Sequence, residues 1–91
     1  MTDSKFRVLV VEDDPELRRA LELNLTARGY EVTPAADGTA ALNAAAAANP
    51  DVIVLDLGLP DLDGMSIIRA IRGYSRTPIV VLSGRASSAD K

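Results

Sequence analysis

The chain has 91 residues, enough for one domain with a real core and little surplus. It contains no Cys and no His, which excludes disulfides, thiolate chemistry, a Ser-His-Asp triad and any His-ligated metal supplied by this chain. A net charge of −3 argues against nucleic-acid binding by these residues themselves. No apolar run approaches the ~20 residues of a membrane span, and Met1-Thr2-Asp3-Ser4-Lys5 lacks a signal-peptide form, so a cytoplasmic protein is expected.

Phe6 to Val11 is dominated by β-branched and apolar residues and reads as the first strand, ending in Glu12-Asp13-Asp14-Pro15. Asp14 suits a helix N-cap and Pro15 the first helical position. The helix then runs to about Arg28, with Leu17, Leu21 and Leu25 on one face and Gly29 as its stop. Tyr30 to Thr33 is a second, shorter strand closed by Pro34. Asp37 caps a second helix that includes Thr39 to Ala48, whose alanines are good helix formers in a small-residue packing face. Asn49-Pro50 stops it.

Val52-Ile53-Val54-Leu55 is an uninterrupted apolar run that leads straight into Asp56, the pattern of a strand buried on both faces of a parallel sheet. A loop with Gly58, Pro60, Asp61 and Asp63 follows. Gly64 precedes a third helix, Met65 to Arg72, with Ile67, Ile68 and Ile71 on one face and Gly73 at its end. Pro78 opens a fourth strand, Ile79 to Leu82, which ends in Ser83-Gly84. Strands alternating with helices imply right-handed crossovers and a parallel sheet covered on both sides. Ser87-Ser88-Ala89-Asp90 has the capping-box form that opens a helix, yet the chain stops at Lys91, so a fragment of a longer α/β domain is expected.

The first, third and fourth strands are the most apolar and read as central, and their carboxyl ends carry Glu12-Asp13, Asp56 and Ser83. Ligands of open parallel sheets bind beyond those ends. With Asp14, Asp61 and Asp63, six of the thirteen acidic residues fall at one rim. Such like charges repel unless a cation sits among them. Oxygen-only ligands favour a hard cation, so the expectation is a Mg²⁺ site made by Asp13 and Asp56. Glu12 would join directly or through water, together with a backbone carbonyl near Gly58. Taken singly, Asp14 reads as a helix cap, and Asp61 and Asp63 as solvated turn residues. Asp56 alone is equally well a strand-end turn former, and Ser83-Gly84 is a common turn. A calcium loop fails, because Leu59 and Ala70 occupy its first and twelfth ligand positions.

Val-Val-Glu-Asp-Asp-Pro at 10 to 15, Pro-Asp-Val-Ile-Val-Leu-Asp at 50 to 56, Leu-Pro-Asp-Leu-Asp-Gly-Met at 59 to 65 and Pro-Ile-Val-Val-Leu-Ser-Gly-Arg at 78 to 85 carry a resemblance. In that order they resemble the receiver domain of two-component response regulators, most closely the winged-helix transcription factors, particularly those controlling potassium transport. The resemblance implies a doubly wound, flavodoxin-like three-layer sandwich with strand order 2-1-3-4-5, here lacking the last helix–strand–helix. It implies that Asp56 accepts a phosphoryl group from a sensor histidine kinase. It further implies that Asp13, Asp56, Glu12 and the Gly58 carbonyl serve Mg²⁺, and that Ser83 is a switch hydroxyl beside the Gly84 N–H.

The family pattern continues with a lysine absent here, since Lys5 and Lys91 match no such position. Residues 1–91 are thus expected to be a truncated receiver domain without its effector domain, acting as a switch and not as an enzyme. Two other classes stay open. A receiver-like interaction module that no longer switches is one. An aspartate-nucleophile phosphatase is the other, although Asp56-Leu57-Gly58 lacks that class's second carboxylate. Without a fifth strand, the fourth becomes an edge, and self-association through it or domain swapping is expected.

Overall fold

The structure, a computed structural model, describes residues 5–82. Alternating apolar runs and capped amphipathic stretches form β1 (Arg7–Val11), α1 (Pro15–Ala27), β2 (Glu31–Ala35), α2 (Gly38–Ala48), β3 (Val52–Asp56), α3 (Gly64–Arg72) and β4 (Ile79–Leu82). The strands make one parallel sheet in the order β2-β1-β3-β4. The step from β1 to β2 runs opposite to the later steps, so right-handed crossovers put α1 on one face and α2 and α3 on the other. This is the expected doubly wound, flavodoxin-like sandwich. Ser83, Gly84 and the capping-box residues 87–90 lie outside the described residues.

Side chains alternate along each strand, so Leu9 and Val11 share a face with Ile53 and Leu55 across the β1–β3 register. There they are buried with Ala41 and Ala45 of α2 and Ile67 and Ile71 of α3. The alanines let α2 approach the sheet closely, and the isoleucines of α3 fill the adjoining volume. Val8 and Val10 are buried on the opposite face.

The helix ends follow their sequence signals. Asp14 Oδ1 accepts the Glu16 N–H at 3.0 Å, and Asp37 Oδ1 accepts the Ala40 N–H at 2.9 Å. Asn49 takes the left-handed conformation at φ 52 and closes α2 before Pro50.

Two expectations change. β2 does not stop at Thr33 but continues through Pro34 to Ala35. The Glu31 N–H donates to Phe6 and the Ala35 carbonyl accepts from Glu12, so odd-numbered β2 residues face β1. Pro34 therefore points its missing donor away from the ladder, which an edge strand tolerates. The second change is α1. No residue of it is buried, and Leu17 remains 37% exposed while Leu21 and Leu25 are half-buried. α1 packs mainly on β1 and β2, and at β4 on the same face Val80 is 51% exposed. The four-residue spacing identified the inward stripe but not how much sheet it would meet.

Candidate functional site

The register that pairs Val11 with Leu55 sets the site. The residues that come next, Glu12 after β1 and Asp56 at the end of β3, lie together at the carboxyl rim. Both are buried, at 0% and 1% exposure. Burying a carboxylate costs several kcal/mol, roughly what full burial of two or three aliphatic side chains contributes. Here the fully buried Leu9, Val11, Ile53 and Leu55 lie directly below and hold the two backbones in place.

Glu12 is fixed from several sides. Its N–H donates to the Ala35 carbonyl at 3.0 Å, and its Oε2 accepts the Asp14 N–H at 3.1 Å. Arg18 Nη1 donates to the Glu12 carbonyl at 3.0 Å and to the Asp13 carbonyl at 3.5 Å. The first turn of α1 thus reaches back over the acidic pair, as helical side chains leaning toward the N-terminus do. That contact with Arg18 was not foreseen from the sequence. Its only signal is the position of an arginine one turn after a helix cap.

Glu12, Asp13 and Asp56 each place a carboxylate oxygen within 4.8 Å of the others, with Asp13 half-buried. Three oxygen donors gathered on two buried backbones and one partly open one suit a hard divalent cation. Among the described residues, this group can hold a metal ion. Asp56 Oδ1 also accepts the Gly58 N–H at 3.1 Å, so the loop after β3 folds back onto its own strand end.

Asp14, Asp61 and Asp63 share the rim but not the group. Asp14 is the cap already described. Asp63 stands at the N-cap of α3 without a side-chain capping bond and is solvent-exposed, as a turn residue would be. Asp61 is different, and the expectation of a merely solvated turn residue is corrected. Its Oδ1 accepts the Gly38 N–H at 2.7 Å, and its Oδ2 accepts the Thr39 N–H at 3.1 Å and the Thr39 hydroxyl at 3.0 Å. The Gly38 N–H first, then the two Thr39 donors, hold its carboxyl below the ordinary aspartate value. A depressed folded-state value means stability present above the unfolded one and lost only as pH falls through the folded one. The contact is therefore intact at neutral pH. Leu82 stands opposite Asp56 in the β3–β4 register and immediately precedes Ser83 in the sequence.

Similarity to known proteins follows the same lines. The transcriptional regulatory protein KdpE of Mycobacterium tuberculosis (strain H37Rv) is 51% identical over 84 residues, covering 92% of this chain and 37% of that protein. The KDP operon transcriptional regulatory protein KdpE of Escherichia coli K12 is 45% identical over 84 residues, with the same 92% and 37% coverage. The chain therefore spans little more than a third of the length of these curated relatives. Among solved structures, the chemotaxis response regulator CheY4 of Vibrio cholerae matches with a TM-score of 0.80 at 37% identity, over 86% of this chain and 68% of that one. Residues 8–91 match the response regulator receiver domain, and the chain belongs to that family.

Proposed function

We propose that this chain is the phosphoacceptor module of a two-component response regulator, with Asp56 receiving a phosphoryl group from a sensor histidine kinase. The observation that carries the reading is the group of Glu12, Asp13 and Asp56, with Asp56 buried at the end of β3 and turned by the Gly58 N–H. A carboxylate oxygen of Asp56 forms a bond to phosphorus as the bond from phosphorus to the kinase's histidine nitrogen breaks. The product is an acyl phosphate, and the imidazole leaves with the electron pair. Asp13 and Asp56 would hold Mg²⁺, with Glu12 and the Gly58 carbonyl completing the protein's share. When bound, that ion supplies charge neutralisation and alignment of the phosphoryl oxygens. The protein's own part is positioning: β3 fixes the nucleophile, and the Gly58 N–H sets its rotamer.

Ser83 and Gly84 are assigned as the phosphoryl-sensing hydroxyl and its neighbouring N–H. Phosphorylation adds about −1.5 to −2 charge at Asp56, by analogy with other phosphorylated side chains, and a responsive element must follow it. Transcription is the proposed output, exerted in the cytoplasm, because the similar proteins above are named transcriptional regulators. No helix among the described residues is long and apolar enough to cross a membrane. Incubation with acetyl phosphate and Mg²⁺ should give one phosphoryl adduct by intact mass, abolished by EDTA. No adduct, from acetyl phosphate or from a kinase, would leave the interaction module that does not switch.

Self-association through β4 belongs to the same reading. Among the described residues β4 is an outer strand, with Val80 51% and Val81 40% exposed. An exposed apolar edge invites pairing with another copy, and a charge on it opposes that. Val80→Lys is expected to lower the apparent mass by light scattering at high protein concentration. An unchanged concentration dependence would rule out β4 as the contact.

A further inference from the structure

We infer that Asp61 is a positioning residue for the site, clamping residues 57–63 to the start of α2 and so fixing the Gly58 peptide against Asp56. The inference rests on the reading of Asp56 as phosphoacceptor and names what holds its loop.

The loop that follows β3 would be expected to move, since it carries Gly58 and Pro60 and lies at the surface. Yet it is fastened at both ends. On one side Gly64, the first residue of α3, lies against Leu57 so closely that a Cβ there would overlap the Leu57 side chain. On the other, Leu62 packs onto Gly38 at the start of α2, where a Cβ would come within 2.7 Å of Leu62 Cβ. The Gly38 contact has no room for a side chain, because Leu62 Cβ itself stands in the way, and at Gly64 a Cβ would force the Leu57 side chain to move.

Asp61 sits between these packing contacts and supplies the polar link. One carboxylate takes three donors, the Gly38 N–H and the Thr39 N–H and hydroxyl. The two amides belong to the first turn of α2, where backbone N–H groups lack intrahelical partners and favour negative charge. Asp37 has already satisfied the Ala40 N–H from the N-cap position. Asp61 is thus a second cap delivered from 22 and 23 residues away. Its consequence for chemistry runs along the backbone. The Gly58 N–H bonds Asp56 Oδ1 three residues before the clamp, and between them Leu59 and Pro60 leave little slack. Releasing Asp61 frees the segment that carries the Gly58 peptide without touching a carboxylate of the site.

The test compares Asp61→Ala, Asp61→Asn and Thr39→Val with the parent chain. Three readouts are used: Mg²⁺ affinity by titration, the Gly58 amide resonance, and thermal stability. Groups that orient metal ligands typically cost about 10- to 100-fold in affinity when removed. Asp61→Ala is expected at the low end, about tenfold weaker Mg²⁺ binding, with the Gly58 amide displaced or broadened. Asp61→Asn keeps one acceptor oxygen and should fall between the two. Thr39→Val removes one donor only and should shift the Gly58 amide in the same direction by less, which keeps the test sound if Asp61→Ala folds poorly. A lowered melting temperature with unchanged Mg²⁺ affinity and an unmoved Gly58 amide would make Asp61 a helix cap alone and overturn the inference. If the parent chain binds Mg²⁺ but never accepts a phosphoryl group, the phosphoacceptor reading fails while these readouts still decide the role of Asp61.

Discussion

Asp56→Asn is expected to abolish phosphoryl incorporation while leaving the fold intact. The substitution is nearly isosteric, and the amide oxygen can still accept the Gly58 N–H that Asp56 Oδ1 accepts now at 3.1 Å. What is lost is the anionic oxygen that attacks phosphorus. Glu12 is the nearest competitor in kind, but it follows β1 rather than ending β3, and the Asp14 N–H holds its Oε2 toward the start of α1. Asp13 is half-buried and belongs to the loop after β1, so it approaches any phosphoryl group from a different direction. Neither can replace an oxygen fixed at the tip of β3. The rate with acetyl phosphate and saturating Mg²⁺ should fall at least about a thousandfold, equivalent to ~4 kcal/mol of barrier. Intact-mass spectrometry against time measures it, with circular dichroism to confirm the fold. Adduct formation at the parent's rate would place the acceptor on another residue.

The parts of this molecule that were legible in the sequence are those written in local pattern. Val52 to Leu55 announce a buried strand because the apolar run is short, rich in β-branched residues and bounded by turn signals, and the structure puts Asp56 at its end with 1% exposure. Asp14 and Asp37 announce caps because an oxygen two or three residues before orphan amides has one good use. The strand order came through the resemblance, since alternation alone does not say on which side each crossover turns. What was missed is non-local. Asp61 bonds residues 22 and 23 positions away, and no periodicity links a loop aspartate to the start of another helix. Arg18 is one of several charged residues in the α1 sequence, and only the backbone path of Glu12 and Asp13 brings their carbonyls within its reach. Pro34 was misread because its local meaning, a strand breaker, is reversed by its place on an outer strand with its nitrogen facing outward.

Asp13→Asn should raise stability in the absence of Mg²⁺ and remove most of the response to it. Two unit charges 4.8 Å apart repel by about 3.5 kcal/mol at an effective dielectric of ~20, and Asp13 lies within that distance of both Glu12 and Asp56. Asp13 is half-buried, so solvent screens part of this, and a gain of about 1–3 kcal/mol remains. For a domain of this size that is roughly 4 °C or more in melting temperature. The same repulsion is what a bound cation relieves. In the parent chain Mg²⁺ should therefore raise the melting temperature with concentration, following the ordinary binding linkage. In Asp13→Asn that rise should be small, because one of two anchoring carboxylates has become a neutral amide. The parent starts lower and gains more, so the two curves converge or cross as Mg²⁺ increases. Melting curves across a Mg²⁺ series test both halves together. If Asp13→Asn melts lower without Mg²⁺ and keeps the parent's full response, the three carboxylates are neither a mutually repelling group nor the place where the cation binds.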